Sequence, residues 1–444
     1  MVRPAVALQA VSPMGMIVPA VPGYCSTWAR AAAAARTSTA AAHHAIVRMY
    51  TPPVRQLRCA AVALAATAPR ARARRRPLRP ASLDLPAASC RVPGTMEVLA
   101  GDVGGTKTLL AIAEVGELPG AGAPSIELRE SCRYDSRQYP GLGDICRAFA
   151  AELGRPLPAH AGFGVAGPVS SGRSHTTNLP WVIDERELAA LLGIRSVRLV
   201  NDFHALALGL AAVKPHDLVR LNEGVHDPAG PRALLGAGTG LGEAVAVVGA
   251  CGRQEVLASE GGHASFAPRD EPEMEILRFL LRRHDHVSWE RVVSGDGLVN
   301  IAEAIAHSSG APLPRRVAEM VLYSRDDAPA AITEGARIGD PVCRRSVETF
   351  CSLYGAEAGN LALKALATGG VYVAGGIAPK LLPELQDGRF RAAFVAKGRM
   401  RPLLETMPVQ VVLDPNTTVL GAAALAADGA TLLPQARPTP ATTP

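Results

Sequence analysis

Aromatic residues are scarce in this chain: 3 Trp, 7 Tyr and 8 Phe among 444 residues. Tyr24, Trp28 and Tyr50 are too few, and too far from the Arg cluster at 70–79, to form the stacking platform that single-stranded nucleic acid requires. Long apolar runs are missing too. None reaches the roughly 18–20 residues needed to span a bilayer, and the richest, Ala60–Ala66, is short. The eight cysteines, at 25, 59, 90, 132, 146, 251, 343 and 351, include no C-x-x-C pair. No Cys/His cluster has zinc-finger spacing, so reduced thiols in a cytosolic-type compartment are the simplest reading.

The net charge of +6 conceals an uneven split. Residues 1–95 hold 13 Arg, no Lys and one acid, Asp84, for a net charge of +12. The remaining residues hold 33 bases and 39 acids, for a net charge of −6. A mildly acidic body carries no electrostatic footprint for nucleic acid. The first segment, with recurrent Pro, an Ala run at 31–35 and poor periodicity, is excluded from the fold. It is either an Arg-rich, acid-poor targeting peptide of the organellar type or upstream sequence that is not part of the working protein. The second explanation is favoured, because the first recognisable strand begins at Met96.

From Met96 the chain reads as globular and is long enough for two ordinary domains. Strands are predicted at Glu97–Gly101 and Thr108–Val115 around a Gly-rich turn, with a helix from about Gly141 to Leu153. A buried-type strand at Ala161–Val165 follows, then a helix opened by Asp184 with Glu187 at capping-box spacing. Strand Val197–Val200 runs into Asn201-Asp202 and a helix from about Phe203 to Ala212. Strands at 232–236 and 243–248 flank a second Gly turn, and several helices fill 272–366. Strand Val371–Ala374 ends in Gly375-Gly376, strand Val409–Leu413 ends at Asp414, and a helix runs from about Thr418 to Ala427. Strands alternating with helices predict α/β layers. The Pro/Thr-rich residues 430–444 are expected to be disordered.

Five segments carry chemistry. Gly101-Asp102-Val103-Gly104-Gly105-Thr106-Lys107-Thr108 lies between two strands. Its paired glycines allow positive φ and close approach to a ligand, successive N–H groups can cradle an anion, and an Asp at a strand end suits water-bridged Mg²⁺. It is not a P-loop, since Thr106 stands where Gly is required. Leu235-Gly236-Ala237-Gly238-Thr239-Gly240-Leu241-Gly242 repeats the setting and adds a hydroxyl. Either turn alone reads as an ordinary glycine hairpin; two in matching settings point to a nucleotide gripped from both sides. Asn201-Asp202 places an amide and a carboxylate at the C-terminal end of a strand, where open α/β sheets bind ligands. The carboxylate can accept a hydroxyl proton; the bland alternative is a helix cap. Glu260-Gly261-Gly262-His263 and Glu290 suit charge-assisted reading of a ring of hydroxyls, against the plainer readings of a packed histidine and a solvated helix face. Gly375 and Gly376 allow close backbone approach, plausibly to adenosine, or form a simple strand-to-helix turn.

Taken in order, these segments resemble the bacterial glucokinase family, within the actin-like ATPase superfamily of sugar kinases. The likeness runs from about Met96 to Ala427, and Gly162–Pro168, Thr177-Asn178-Leu179-Pro180-Trp181, Ser294–Asn300 and Asn360-Leu361-Ala362-Leu363 share it. It implies a two-domain actin-like ATPase (ribonuclease H-like) α/β fold with a sugar cleft between a small and a large domain. On this chain the small domain is residues 96–212, completed by a helix at 415–428. The large domain is 213–414, and 429–444 forms a disordered tail. The implied reaction is ATP-dependent phosphorylation of glucose at its 6-hydroxyl to glucose 6-phosphate, the first step of glycolysis, in the cytoplasm. The partners implied are glucose, ATP and Mg²⁺, with no nucleic acid or membrane, and a homodimer is the family expectation. By the resemblance, Asp202 is the general base, and Asn201, Glu260, His263 and Glu290 hold the sugar hydroxyls. Gly101, Asp102, Gly104, Gly105, Thr106 and Lys107 belong to one phosphate loop, and Gly238, Thr239 and Gly240 to the other. Gly375 and Gly376 lie near adenosine, and Mg²⁺ sits near Asp102 through water.

Lys107 departs from the Asn that often follows Gly-Gly-Thr in the bacterial group. Lys occurs there in a related kinase–repressor family, but that family carries a Cys-rich zinc motif after its Glu-x-Gly-His segment, and residues 264–290 contain no Cys. A catalytically silent sugar-responsive regulator would need a DNA-reading helix pair, for which residues 1–95 have too much Pro and too little periodicity. A kinase for another hexose, or one using polyphosphate as donor, is compatible with the same residues.

Overall fold

The computed structural model describes residues 95–117, 124–176, 179–249 and 254–432. The expectations for residues 1–94 and 433–444, and the Thr177-Asn178 pair, lie outside the described residues.

The first half contributes β1 (Met96–Val103), β2 (Lys107–Glu117), β3 (Pro124–Asp135), α1 (Leu142–Leu153) and β4 (His160–Val165). A small ribbon of β5 (Val169–Ser170), β6 (Arg173–His175) and β7 (Val182–Asp184) leads into α2 (Glu185–Leu192), β8 (Ser196–Asn201) and α3 (Asp202–Gly209). The second half contributes β9 (Leu218–Asn222), β10 (Arg232–Ala237), β11 (Leu241–Val248), β12 (Gln254–Ser259), α4 (Glu271–Leu280), α5 (Gly295–Ser309), α6 (Arg315–Tyr323), α7 (Ala328–Arg337) and α8 (Pro341–Ala365). After β13 (Val371–Ala374) come three short helices, α9 (Leu382–Leu385), α10 (Arg389–Val395) and α11 (Arg401–Thr406), then β14 (Val409–Val412) and α12 (Thr417–Leu432).

Two mixed sheets result, with strand orders β3-β2-β1-β4-β8 and β12-β11-β10-β13-β14-β9. Each has an antiparallel hairpin followed by parallel strands: β1–β2 with β4 and β8, and β10–β11 with β13 and β14. The first sheet is covered on both faces. Alternate residues point opposite ways along a strand, so Leu99 and Val103 of β1 join a core with α1 and α2. Val98 and Ala100 pack instead against Val419, Ala422, Ala423 and Ala426 of α12. Burial on both faces is why these strands read as continuous apolar runs. The largest core lies under the second sheet, around Phe350 and Tyr354 of the 25-residue α8.

α3 joins the halves. Leu206, Ala207 and Leu210 pack on β10, β11 and β13 residues such as Leu234, Ala244 and Ala374. Its other side meets α12 at glycine level: a Cβ on Gly421 would fall 1.7 Å from the Ala205 carbonyl oxygen, and one on Gly209 1.9 Å from that of Thr417. No side chain fits between these helices, so the C-terminal helix is anchored to α3 and, through it, to the second sheet. α12 extends to Leu432, past the end at 427–428 expected from the sequence; its residues that pack on the first sheet run to Ala427.

Candidate active site

β8 carries Asn201 to the point where the strand turns into α3. The side-chain Oδ1 atoms of Asn201 and Asp202 both accept from the Phe203 N–H, each at 2.9 Å. Asn201 Nδ2 also donates to the Gly167 carbonyl at 3.1 Å. The capping role and a ligand role therefore coexist, since the Asn201 amide oxygen keeps one lone pair for a ligand while its N–H groups serve Gly167 and Asp202. Gly164 of β4 allows the close start of α3: a Cβ there would sit 2.8 Å from that of Ala205.

Asp102 ends β1 and faces the same place. Register aligns Asp102 with Gly164, and Gly164 with Val200, so the two acidic strand ends flank β4, one on either side of that single strand. Burial pushes the Asp102 carboxyl up to about 7, the Asp202 charge adds to this, and Arg133 of β3 opposes it. Burial also pushes Asp202 up to about 6; the Phe203 N–H opposes this, and the Glu260 charge adds to it. At neutral pH Asp202 is ionised yet close to its titration point, the condition a general base needs.

From Asp202 the site continues into the second half. Glu260 and His263 occupy an exposed turn after β12, with His263 Nε2 3.9 Å from Glu260 Oε2 and His263 Nδ1 3.9 Å from Glu290 Oε1. These spacings are too long for direct hydrogen bonds. Glu290 is anchored, because its Oε2 accepts from the Leu241 N–H at 3.0 Å. A Cβ on Gly240 would lie 2.4 Å from that oxygen, so the glycine lets the carboxylate reach the hairpin. The hairpin also admits Phe203, whose ring fills the space that side chains on Gly236 and Gly242 would take. The Gly295 N–H at the start of α5 donates to the Gly238 carbonyl at 2.8 Å. Gly375 stands beside the same hairpin with φ 83°; a Cβ would meet the Ala237 oxygen at 2.6 Å, and Ile377 N–H donates to that oxygen at 3.2 Å.

The loop after β1 differs from expectation. Gly104 does not adopt a left-handed backbone. A side chain is excluded there because a Cβ would lie 2.9 Å from the Lys107 carbonyl oxygen, which accepts from the Gly104 N–H. Gly101 is buried within β1, where a Cβ would lie 2.6 Å from Phe163 Cδ1, so packing accounts for that glycine. Thr106 and Lys107 are exposed and Gly105 is partly so.

Three contributors escaped sequence reasoning. Ser136 donates to the Gly104 carbonyl at 2.9 Å and hydrogen-bonds Thr108 Oγ1 at 2.9 Å, tying the first loop to the end of β3. Arg137 donates to Thr106 Oγ1 at 3.3 Å, bringing a guanidinium to the loop tip. Tyr354, in the middle of α8, accepts from the Ala237 N–H at 2.9 Å and donates to the Ala374 carbonyl at 3.2 Å. Its hydroxyl ties the end of β10 to that of β13. Each lies far in sequence from the loop it supports, and no local pattern marks it.

Two sheets, each with a glycine hairpin and parallel strands, and the Asp202 carboxylate near Asp102 and Glu260 are the features of a sugar kinase of the actin-like ATPase fold. A family model for glucokinase matches residues 99–429. The glucokinase of Nostoc punctiforme is 40% identical over 342 residues, spanning 74% of this chain and 98% of the relative. The chain belongs to the glucokinase family. The crystal structure of a glucokinase from an Antarctic psychrotroph superimposes with a TM-score of 0.65 at 30% identity, covering 75% of this chain and 99% of that one. A ROK family glucokinase from Streptomyces griseus, solved with glucose and AMPPNP, shares the fold with a TM-score of 0.52 at 23% identity, covering 75% of this chain and all of that one.

Proposed function

We propose that this protein transfers the γ-phosphoryl group of ATP to the 6-hydroxyl of glucose, with Asp202 as general base. The observation that carries the reading is the position of Asp202. Its carboxylate interacts with Asp102 from one hairpin strand and Glu260 from the opposite half, and its neighbour Phe203 is seated in the second hairpin.

In this reading Asp202 takes the proton as the 6-hydroxyl attacks. Asn201, Glu260, His263 and Glu290 hold the other hydroxyls, and the exposed Glu260 and His263 side chains become covered by the sugar. Phosphates lie between Gly104–Lys107 and Gly238–Gly240, with Gly375 and Gly376 against adenosine. The first half with α12, and the second half, act as the small and large domains, and their closure excludes water that would otherwise hydrolyse ATP.

Asp102 and Asp202 offer two hard oxygen donors whose mutual repulsion a cation relieves. Mg²⁺ is held by one or two carboxylates plus phosphates and keeps several waters, and this donor set fits it, with Asp102 the closer to the phosphates. When bound, Mg²⁺ neutralises charge developing on the transferred group. The chain's own contribution is in-line placement of the hydroxyl and removal of its proton. The place of action is the cytoplasm and the assembly a homodimer, the latter checked by sedimentation.

The deciding measurement is ADP release, coupled to a reporter, against a panel of hexoses with ATP and with polyphosphate. Glucose with ATP should give the highest kcat/KM. A larger value for mannose, or for polyphosphate, would replace the substrate or the donor in this reading.

A further inference from the structure

Behind the proposed sugar-binding turn lies a buried acidic pair with no part in the chemistry above. Glu243 on β11 is 2% exposed and Glu357 on α8 is 0% exposed. The two carboxyl groups lie within hydrogen-bond reach of each other. Each leaves one buried oxygen, Oε1, without a donor from any other group among the described residues. Two buried anions in contact are strongly disfavoured, and a buried acceptor left unpaired costs about 1–3 kcal/mol. One proton between them supplies the missing hydrogen bond and removes one of the charges.

The surroundings say which carboxyl keeps the proton. Glu357 Oε2 accepts from Asn360 Nδ2 at 2.8 Å, and Lys364 Nζ lies 3.6 Å from its Oε1. Lys397 Nζ donates to Asn360 Oδ1 at 2.6 Å and to the Ala356 carbonyl at 2.8 Å. Glu357 is therefore the anion. Arg269 and Glu273 are the further charges around Lys397, and Tyr354 is the remaining titratable neighbour of Glu243. Burial first, and then the Glu357 charge, push the Glu243 carboxyl up to about 8, with Lys364 opposing.

Glu243 also supports the turn directly. Strand pairing sets it opposite Ser259, the residue before Glu260. Its Oε2 occupies the space under Gly261, where a Cβ would fall 1.9 Å away, and Ser259 Oγ accepts the Gly261 N–H at 3.0 Å. We propose that the Glu243–Glu357 pair, sharing one proton, positions the Glu260–His263 turn, making Glu243 a positioning residue for the sugar subsite. The proposal rests on the kinase reading. When the proton leaves, two adjacent buried anions push β11 and α8 apart beneath Gly261, and Glu260 and His263 lose their placement. Sugar affinity then falls in alkali while the nucleotide loops stay in place.

The test is the pH dependence of KM for glucose and of KM for ATP, from pH 7 to 9.5, in the wild-type full chain, Glu243→Gln and Lys364→Met. In the wild type, KM for glucose should rise several-fold as the pH passes about 8, with KM for ATP and kcat changing little. Glu243→Gln, a permanently neutral donor to Glu357, should lose that rise. Lys364→Met removes an exposed charge that favours the ionised pair and should move the rise to higher pH; this variant serves if the buried substitution prevents folding. A flat wild-type KM for glucose, an unchanged rise in Glu243→Gln or an unmoved rise in Lys364→Met overturns the pair's role. Absence of any glucose-dependent ADP release at pH 7 would instead sink the kinase reading, so the two failures are distinguishable.

Discussion

The two glycine loops share a sequence pattern and differ in how they are held. The Gly104–Lys107 loop is tied by hydroxyls and a guanidinium from the end of an edge strand: Ser136 to Gly104, Thr108 to Ser136, Arg137 to Thr106. The Gly238–Gly240 loop is clamped from the interior. It has the Glu290 carboxylate against Gly240 and Leu241, the α5 N-terminus on Gly238, and the fully buried Tyr354 hydroxyl under Ala237. The base of the first loop rests on the buried Thr108 and Ser136 hydroxyls and only its tip, at Thr106, is held by an exposed contact, so the tip can adjust to a ligand while the second loop, tied to Tyr354 and Glu290, is preorganised. The second loop also anchors Glu290 through the Leu241 N–H; under the sugar-binding role proposed for Glu290, that contact would couple the two substrates, and the first loop has no such contact.

The largest expected effect comes from Asp202, the proposed general base. Asp202→Asn should lower kcat by about 10²–10⁴-fold while glucose binding, measured by calorimetry, persists. Near-normal turnover would remove Asp202 from its role. In the wild type, kcat/KM should fall as the pH drops through about 6, because the base is then protonated; a rate flat to pH 5 would contradict this.

Next is Gly240→Ala, which drives a methyl group into the Glu290 carboxylate. Loss of a charge-assisted hydrogen bond, ~1.5–3 kcal/mol, should raise KM for glucose about tenfold or more and disturb KM for ATP as well. An effect confined to ATP would break the coupling assigned to this loop. Tyr354→Phe leaves the Ala237 N–H without its acceptor, at a cost of about 1–3 kcal/mol. It should lower the melting temperature and raise KM for ATP with KM for glucose unchanged. The smallest effect should be Arg137→Ala, an exposed contact of under ~1 kcal/mol, with KM for ATP rising a few-fold and no change in melting temperature. If Arg137→Ala proves worse than Tyr354→Phe, the ranking of exposed below buried support is wrong.

The strands legible in the sequence were mostly the central ones. β1, β2, β4, β10, β11 and β13 are buried on both faces or nearly so, and their apolar runs mark them. β3, β9 and β12 were not anticipated, and all three are sheet edges. An edge strand has one flank and often one face in water, so charges are tolerated and even useful against aggregation. β3 carries Glu127, Arg129, Glu130 and Arg133, and its pairing with β2 slips between Ile112 and Ala113, which breaks the period-2 pattern. β8, also an edge, was legible because α2 and α3 flank it with capped starts at Asp184 and Asn201. The small ribbon β5–β7 has strands of two or three residues, too short for any periodic signal.

By itself the sequence determined the order of the motifs, the glycine positions that tolerate no side chain and the acid at the end of β8. These are local properties of the chain: backbone space, strand polarity and cap chemistry over a few residues. Only the tertiary structure decided that Asp102 faces Asp202, that Glu290 reaches the second hairpin, and that Ser136, Tyr354 and Glu357 support loops from 30 to more than 100 residues away. Those contacts depend on two sheets being brought together around α3. That is a consequence of burying both its faces at once, and no window of sequence contains it.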